Sequence, residues 1–192
     1  LVTGVQTCAL PILYCFQNGQ WRRDTLGASK KSALISDVAV RLMETYRIRV
    51  KKALARTRGK FMIPESISNI AQRAQSILSL GNDCGEGWFL TGEMLELIEN
   101  GVPNIICAQP FACLPNHVTG KGMIKELRRQ HPQANIVPID YDPGASEVNQ
   151  LNRIKLMIAT AFGNERSPVA QSSHKHQATF KLVNQNPVKT VP

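Results

Sequence analysis

NIICAQPFACLPNHVTGKG, residues 104–122, decides how this chain is read. Ile105-Ile106 is a short apolar run that delivers Cys107 to its end, Pro110 and Pro115 break the loop that follows, and Cys113 and His117 lie in that loop. An apolar run bounded by breakers reads as a buried strand, and the glycines at 120 and 122 lead into a helix. Two thiols, a histidine and two prolines in one strand-to-helix connection mark a site. In an open parallel sheet, ligands collect beyond the carboxyl ends of the strands.

Moving outward toward the C-terminus, Lys121 to Gln130 reads as a helix rich in late positive charge, and Asn135 to Asp140 as a second strand. Pro138 lies inside that strand, which places the strand at an edge or makes it irregular. Tyr141-Asp142-Pro143-Gly144 makes a turn. Ser146 caps a helix from Glu147 to Phe162, with Leu151, Ile154, Met157 and Ile158 on one face. Strand, helix, strand, helix implies parallel strands with a right-handed crossover. The expected class is α/β: a partial Rossmann-like parallel sheet preceded by helices. Residues 163–192, rich in Ser, Gln, Asn and Lys, form a disordered tail in which His174 and His176 are solvated.

Toward the N-terminus, Thr91 to Glu99 is expected to be helical. Ser66 opens another helix, running to about Leu80, whose apolar face is Ile67, Ile70, Ala71, Ala74, Ile77 and Leu78. Ala28 to Arg58 is a third, basic helix, single or broken near Arg47 and closed by Gly59. Ile35, Val38, Leu42, Tyr46 and Val50 recur along it at three- and four-residue steps and are expected to pack on the core.

The formal net charge of +9 belongs to this segment alone: Trp21 to Lys60 holds 12 Lys or Arg against 3 acidic residues, and the rest of the chain has 11 of each. Specific nucleic-acid recognition wants base-reading side chains on a docking motif, and stacking aromatics are nearly absent here. The basic helix reads as a solvated face, or else as a contact for an acidic partner domain or a site for an anionic ligand.

The 43% of hydrophobic residues suffices for one ordinary core, supplied mainly by aliphatic side chains since aromatics are only 6%. The chain starts at Leu1 without a methionine, and Val2 to Ile12 reads as a translated sequencing adapter, so residues 1–12 are set aside together with Cys8. The expected organisation is then a basic helical region, 13–60, followed by the Rossmann-like region, 61–162. Cys15, Cys84, Cys107 and Cys113 without a secretory signal point to a reducing, cytoplasmic setting rather than a disulfide framework. No apolar run approaches the roughly 20 residues that span a bilayer.

Cys107 and Cys113, six positions apart, suit one metal centre, and iron–sulfur clusters take thiolates. Cys84, in the glycine-rich connection before Trp88, is the local candidate for a third ligand; the alternative is that it merely packs. A structural zinc site on Cys107, Cys113 and His117 has the right residue types, but zinc pairs usually stand about two to four residues apart. A nucleophilic Cys113 with His117 as base lacks an orienting third residue. Thr119-Gly120-Lys121-Gly122 fails as a phosphate loop, because Pro115 holds the place of the first glycine and Gly122 that of the Ser or Thr. These glycines serve close packing, and His117 is expected to steady the loop through a hydrogen bond. Asp140 and Asp142 are read as part of a turn.

GEGWFLTGEMLELIENG (85–101), residues 104–129 and NIVPIDYDPGASEVNQLNRIKLMIATA (135–161) resemble the C-terminal part of the large acyl-CoA dehydratase activase-related proteins, which are similar to activators of 2-hydroxyglutaryl-CoA dehydratase. The resemblance covers residues 60–161 closely. It implies ATP-driven delivery of a low-potential electron, in which an actin-like ATPase domain feeds dehydratase-like Rossmann domains that bind [4Fe–4S] clusters. Cys107 and Cys113 match positions where cluster thiolates are expected, with Cys84 as a third. The implied partners are upstream ATPase and dehydratase-like domains of the same full-length chain, with ATP bound only there, and an acyl-CoA enzyme. Neither nucleic acid nor membrane is implied. The competing expectation is a non-catalytic interaction module whose cysteines only pack.

Overall fold

Two short strands make the sheet, and burial alternates along the first of them. Strand β1 (Asn104–Pro110) and strand β2 (Asn135–Tyr141) pair in parallel, with Ile105 opposite Ile136 and Cys107 opposite Pro138. The computed structural model describes residues 9–23, 27, 29–57, 61–110, 112–141 and 144–165. Among these there are six α-helices beside the two strands: α1 (Ala9–Phe16), α2 (Lys30–Ala55), α3 (Ile67–Ala74), α4 (Trp88–Glu99), α5 (Ile124–Gln130) and α6 (Glu147–Glu165). The fold is therefore mixed α/β, with the expected strand, helix, strand, helix order at its C-terminal side. Residues 2–8, the Gly59 helix stop, Asp142-Pro143 and the tail from 166 lie outside the described residues.

The strands hold their register because one face is apolar. Ile105 and Ile136 join Met94, Leu95 and Ile98 of α4, Ile124 and Leu127 of α5, and Ala134 in a single core, with Cys107 partly buried against it. On β2, the Asn135 side-chain amide donates to Met157 O of α6 (2.9 Å), Gln150 to Asp140 O (2.6 Å) and Arg153 to Pro138 O (2.7 Å). Ser146 caps α6 as expected, accepting from the Asn149 N–H at 3.4 Å. Only part of the expected α6 stripe is covered: Ile154 and Met157 are half-buried, while Leu151 and Ile158 are exposed. Among the described residues β2 pairs with β1 alone, and Pro138 thus sits on an edge strand, where a missing N–H is tolerated.

A second core lies on the N-terminal side. Ile67, Ile70, Ala71 and Ala74 of α3 pack with Ile12 and Leu13 of α1 and with Trp88 and Phe89 of α4. Ile12 belongs to the stretch set aside in the sequence. Ser66 caps α3 through the Asn69 N–H (3.3 Å), and the buried face of α3 is the one its periodicity predicts. The helix ends at Ala74 rather than near Leu80, leaving Ile77 and Leu78 in the turns that follow. Helix α4 begins at Trp88 and supplies residues to both cores. Its entry needs Gly87, at φ 45°, because a Cβ there would collide with the Asn82 carbonyl.

Helix α2 departs from expectation. It is one continuous helix of 26 residues, and the face it turns inward is not the large-aliphatic stripe. Ala33 is fully buried and Val40 and Met43 are packed on the N-terminal core, while Ile35, Val38, Leu42, Tyr46 and Val50 point to solvent. The physical reason is an ionic seam. The Glu44 carboxylate takes Arg47 (2.6 Å), Lys51 (3.2 Å) and the Ile67 N–H (3.4 Å), fixing the polar side of the helix against α3. Among the described residues, no helix is long and apolar enough to cross a membrane.

Candidate functional site

Cys107 lies in the middle of β1 rather than at its end, because the strand continues to Pro110. The period of two puts it on the same face as Ile105 and Gln109, toward α4 and α5. Its sulfur is held close under the loop: a Cβ on Gly120 would stand 3.2 Å from Cys107 Sγ and 3.9 Å from both Asn116 Oδ1 and Gln109 Nε2. Gly120 thus permits the close packing expected of the Gly-Lys-Gly run. Burial pushes the Cys107 thiol up from its ordinary value, partly opposed by a weak bond from Gln109 Nε2 at 3.7 Å.

Past Pro110 the chain turns through Ala112, a non-glycine residue at φ 56°. The Cys113 N–H donates to Pro110 O (3.2 Å), and Cys113 O accepts from the His117 N–H (3.1 Å), so the loop closes into a short helical segment. Asn116 Nδ2 donates to Cys113 Sγ at 3.0 Å, and Gln109 Nε2 donates to Asn116 O at 3.0 Å. The two thiols are therefore linked through one amide network: Cys107 to Gln109, Gln109 to Asn116, Asn116 to Cys113. The Gln109 side chain is fully buried, and its Oε1 has no hydrogen-bond partner. The spacing of β1 puts a polar residue at an inward position there, a signal that the sequence reading passed over, as it did Asn116.

Thr119 fastens this loop to the start of α4. Its Oγ1 stands 2.6 Å from Gly87 O and 2.8 Å from Pro115 O and donates to one of the two, while Thr91 Oγ1 donates to Thr119 O at 2.5 Å. The same fastening brings the connection that carries Cys84 against the loop, since a Cβ on Gly85 would meet Pro115 at 3.0 Å. Cys84 is exposed; Cys107 and Cys113 are half-buried; no disulfide joins them. His117 is exposed, and its side chain makes no hydrogen bond among the described residues, so it does not steady the loop in the way expected. Among the described residues no three His, Cys, Asp or Glu side chains stand together as a ready metal-ligand group. Asp140 is half-buried, and its carbonyl caps onto Gln150.

No protein-family model, curated protein or solved structure matches this chain significantly. What the loop does is to be read from its own residues.

Proposed function

We propose that this chain is the C-terminal part of an iron–sulfur protein of the 2-hydroxyacyl-CoA dehydratase and activase type, working in ATP-driven, low-potential electron transfer. Its small parallel sheet is the rim of a Rossmann-like domain in this reading. Cys107 and Cys113 are thiolate ligands of a [4Fe–4S] cluster, and Cys84 is the third. The observation that carries the reading is the amide network on Cys107 and Cys113, with Asn116 donating to one sulfur and Gln109 to the other. Hydrogen bonds to ligand sulfurs are among the levers that set cluster potentials.

The residues present fit this group in donor type, and the connection holding Cys84 abuts the loop holding Cys113. The set is short by one thiolate, since such clusters take about four. The missing ligand, the ATP site and the acyl-CoA partner then belong to other parts of the full-length chain or its complex, in the reducing cytoplasm.

Anaerobic reconstitution of the full 192-residue chain with ferrous iron and sulfide tests the proposal. The expected result is bound iron with broad sulfur-to-iron charge-transfer absorption, lost in Cys107→Ser and in Cys113→Ser and weakened in Cys84→Ser. A chain that binds no iron, or whose serine variants keep all of it, refutes the reading. A second role, as a docking module, is favoured by the outward face of α2.

A further inference from the structure

The two outer edges of the sheet are unlike. In a parallel pair the N–H and C=O of one residue point to the same side, and successive residues alternate. The Asn135 N–H donates to Pro103 O at 2.8 Å, so the register turns Ile105, Cys107 and Gln109 toward β2, and Asn135, Val137 and Ile139 toward β1. The outward carbonyls of β2 are then those of Ile136, Pro138 and Asp140. All three are taken, by Arg128 (2.5 Å), Arg153 (2.7 Å) and Gln150 (2.6 Å), and Pro138 has no N–H to offer. That edge is closed to another strand.

The edge of β1 is open. Asn104, Ile106 and Ala108 turn their N–H and C=O groups away from β2, where these meet no hydrogen-bond partner among the described residues, and all three residues are exposed. Residues 104–109 carry neither charge nor proline. Edges that stay bare in natural proteins are blunted by such devices, so an unblunted one is built to be covered.

The topology says by what. Helix α5 packs with Ile105 and Ile136 on one face of the sheet. The Asn135 side chain, one residue before Ile136 and so on the other face, reaches Met157 O of α6. Parallel crossovers share one hand. A chain that passes from β1 to β2 across one face, and leaves β2 across the other, must therefore return to the far side of β1. Helix α6 runs against the strands, from Gln150 beside Asp140 to Met157 beside Asn135. Its end at Glu165 lies about 12 Å beyond Met157, at about 1.5 Å per residue, where a parallel strand would start.

Among residues 166–192, Ala178-Thr179-Phe180-Lys181-Leu182-Val183 is the longest run of alternating, strand-forming residues, and Asn184 to Pro187 closes it. The segment 166–177 reaches about 40 Å when extended, against about 10 Å for the two strand spacings from β2 to the far side of β1. We propose that Ala178 to Val183 adds to the sheet as a third parallel strand on the open edge of β1. The strand that carries Cys107 and Gln109 is then central. The return of the chain makes its carboxyl end a topological switch point, where open α/β sheets hold ligands, and the thiol loop starts there. The tether favours this segment over a second copy or a strand of another protein, because a short flexible linker supplies an effective concentration of about millimolar.

Amide hydrogen exchange of the full chain, followed residue by residue by NMR, tests the proposal. Ile105 and Cys107, whose N–H groups face β2, are the reference. The N–H groups of Ile106 and Ala108 should exchange about a hundredfold more slowly than exposed amides, at a rate unchanged by about tenfold dilution. In the double variant Phe180→Pro, Lys181→Pro, adjacent prolines remove a donor aimed at β1 whichever way the strand is turned. Ile106 and Ala108 should lose their protection there, while Ile105 and Cys107 keep theirs. Any of three results overturns the proposal: fast exchange of Ile106 and Ala108 in the parent; protection that survives the two prolines, as it would if another element covered the edge; or protection that falls on dilution, with contacts between labelled and unlabelled copies. No iron enters the experiment, so its outcome is independent of the cluster reading.

Discussion

Single residues in this chain carry information that pattern reading assigns to the wrong surface. Glu96, a carboxylate in the middle of α4, is only 5% exposed. Its carboxylate accepts the Glu65 N–H at 2.7 Å, tying the approach to α3 onto α4. Burial raises its pKa from the usual 4.5, against the Glu65 amide bond and the nearby Arg73 and Arg47. The folded state therefore favours the protonated acid. The stabilisation this gives is complete below pH 4.5 and is lost as pH rises through the folded pKa. Glu96→Gln keeps an oxygen for the Glu65 N–H and removes the charge. The variant should match the parent in urea midpoint at acid pH and exceed it increasingly toward neutrality. Equal midpoints at neutral pH would show that Arg73 and Arg47 offset the burial cost fully. Gln109 teaches the same point from the other side: the alternation of β1 assigns it inward, but only the fold shows that its amide donates to Cys107 Sγ and to the carbonyl of Asn116, which in turn bonds Cys113.

At the scale of elements, legibility follows burial. Helix α3 reads correctly as far as Ala74, because its apolar residues, Ile67, Ile70, Ala71 and Ala74, are the ones buried, and its Ser66 cap is local chemistry; the expected continuation to Leu80 is not helical. The strands read correctly for the same reason, apart from three extra residues at the end of β1 and Tyr141 at the end of β2. Helix α2 misleads because period reports which residues share a face, not whether that face meets this core or another molecule. Its inward face is built from Ala33, Val40, Met43 and the Glu44 ion pairs, which periodicity ranks below the larger outward stripe. The close crossing of α3 and α4 was not legible either. Gly92 lies so near α3 that a Cβ there would stand 2.6 Å from Ile70 Cγ2 and 2.9 Å from Ile70 O. Gly92→Ala gains helix propensity but overpacks this contact, and a net loss of about 1–3 kcal/mol is expected in chemical denaturation. A variant as stable as the parent would mean that α3 shifts aside freely.

For the molecule as a whole, the question is whether two cores make one cooperative unit. The N-terminal core gathers around Trp88 and Phe89, and the sheet core around Leu95 and Ile98, yet all four residues belong to α4. Unfolding either core removes one face of α4's burial, and so weakens the other. The Thr119 and Thr91 bonds couple them again, by holding the thiol loop to the first turns of α4. None of this was visible in the sequence, where α4 read as one short amphipathic helix starting three residues later. Leu95 is 1% exposed in the sheet core, and Leu95→Ala should cost about 2–5 kcal/mol through lost contacts and the cavity left behind. In a Trp21→Phe background the one remaining tryptophan is Trp88, which is fully buried in the other core. If α4 unites the two, the Trp88 emission shift and the far-UV signal should move together to lower denaturant in Leu95→Ala. Coincidence of the two probes is the mark of an all-or-none transition. A Trp88 transition that stays in place while the far-UV midpoint falls would show instead that each core unfolds by itself, and that the loop holding Cys107 and Cys113 can open without disturbing the face of α2.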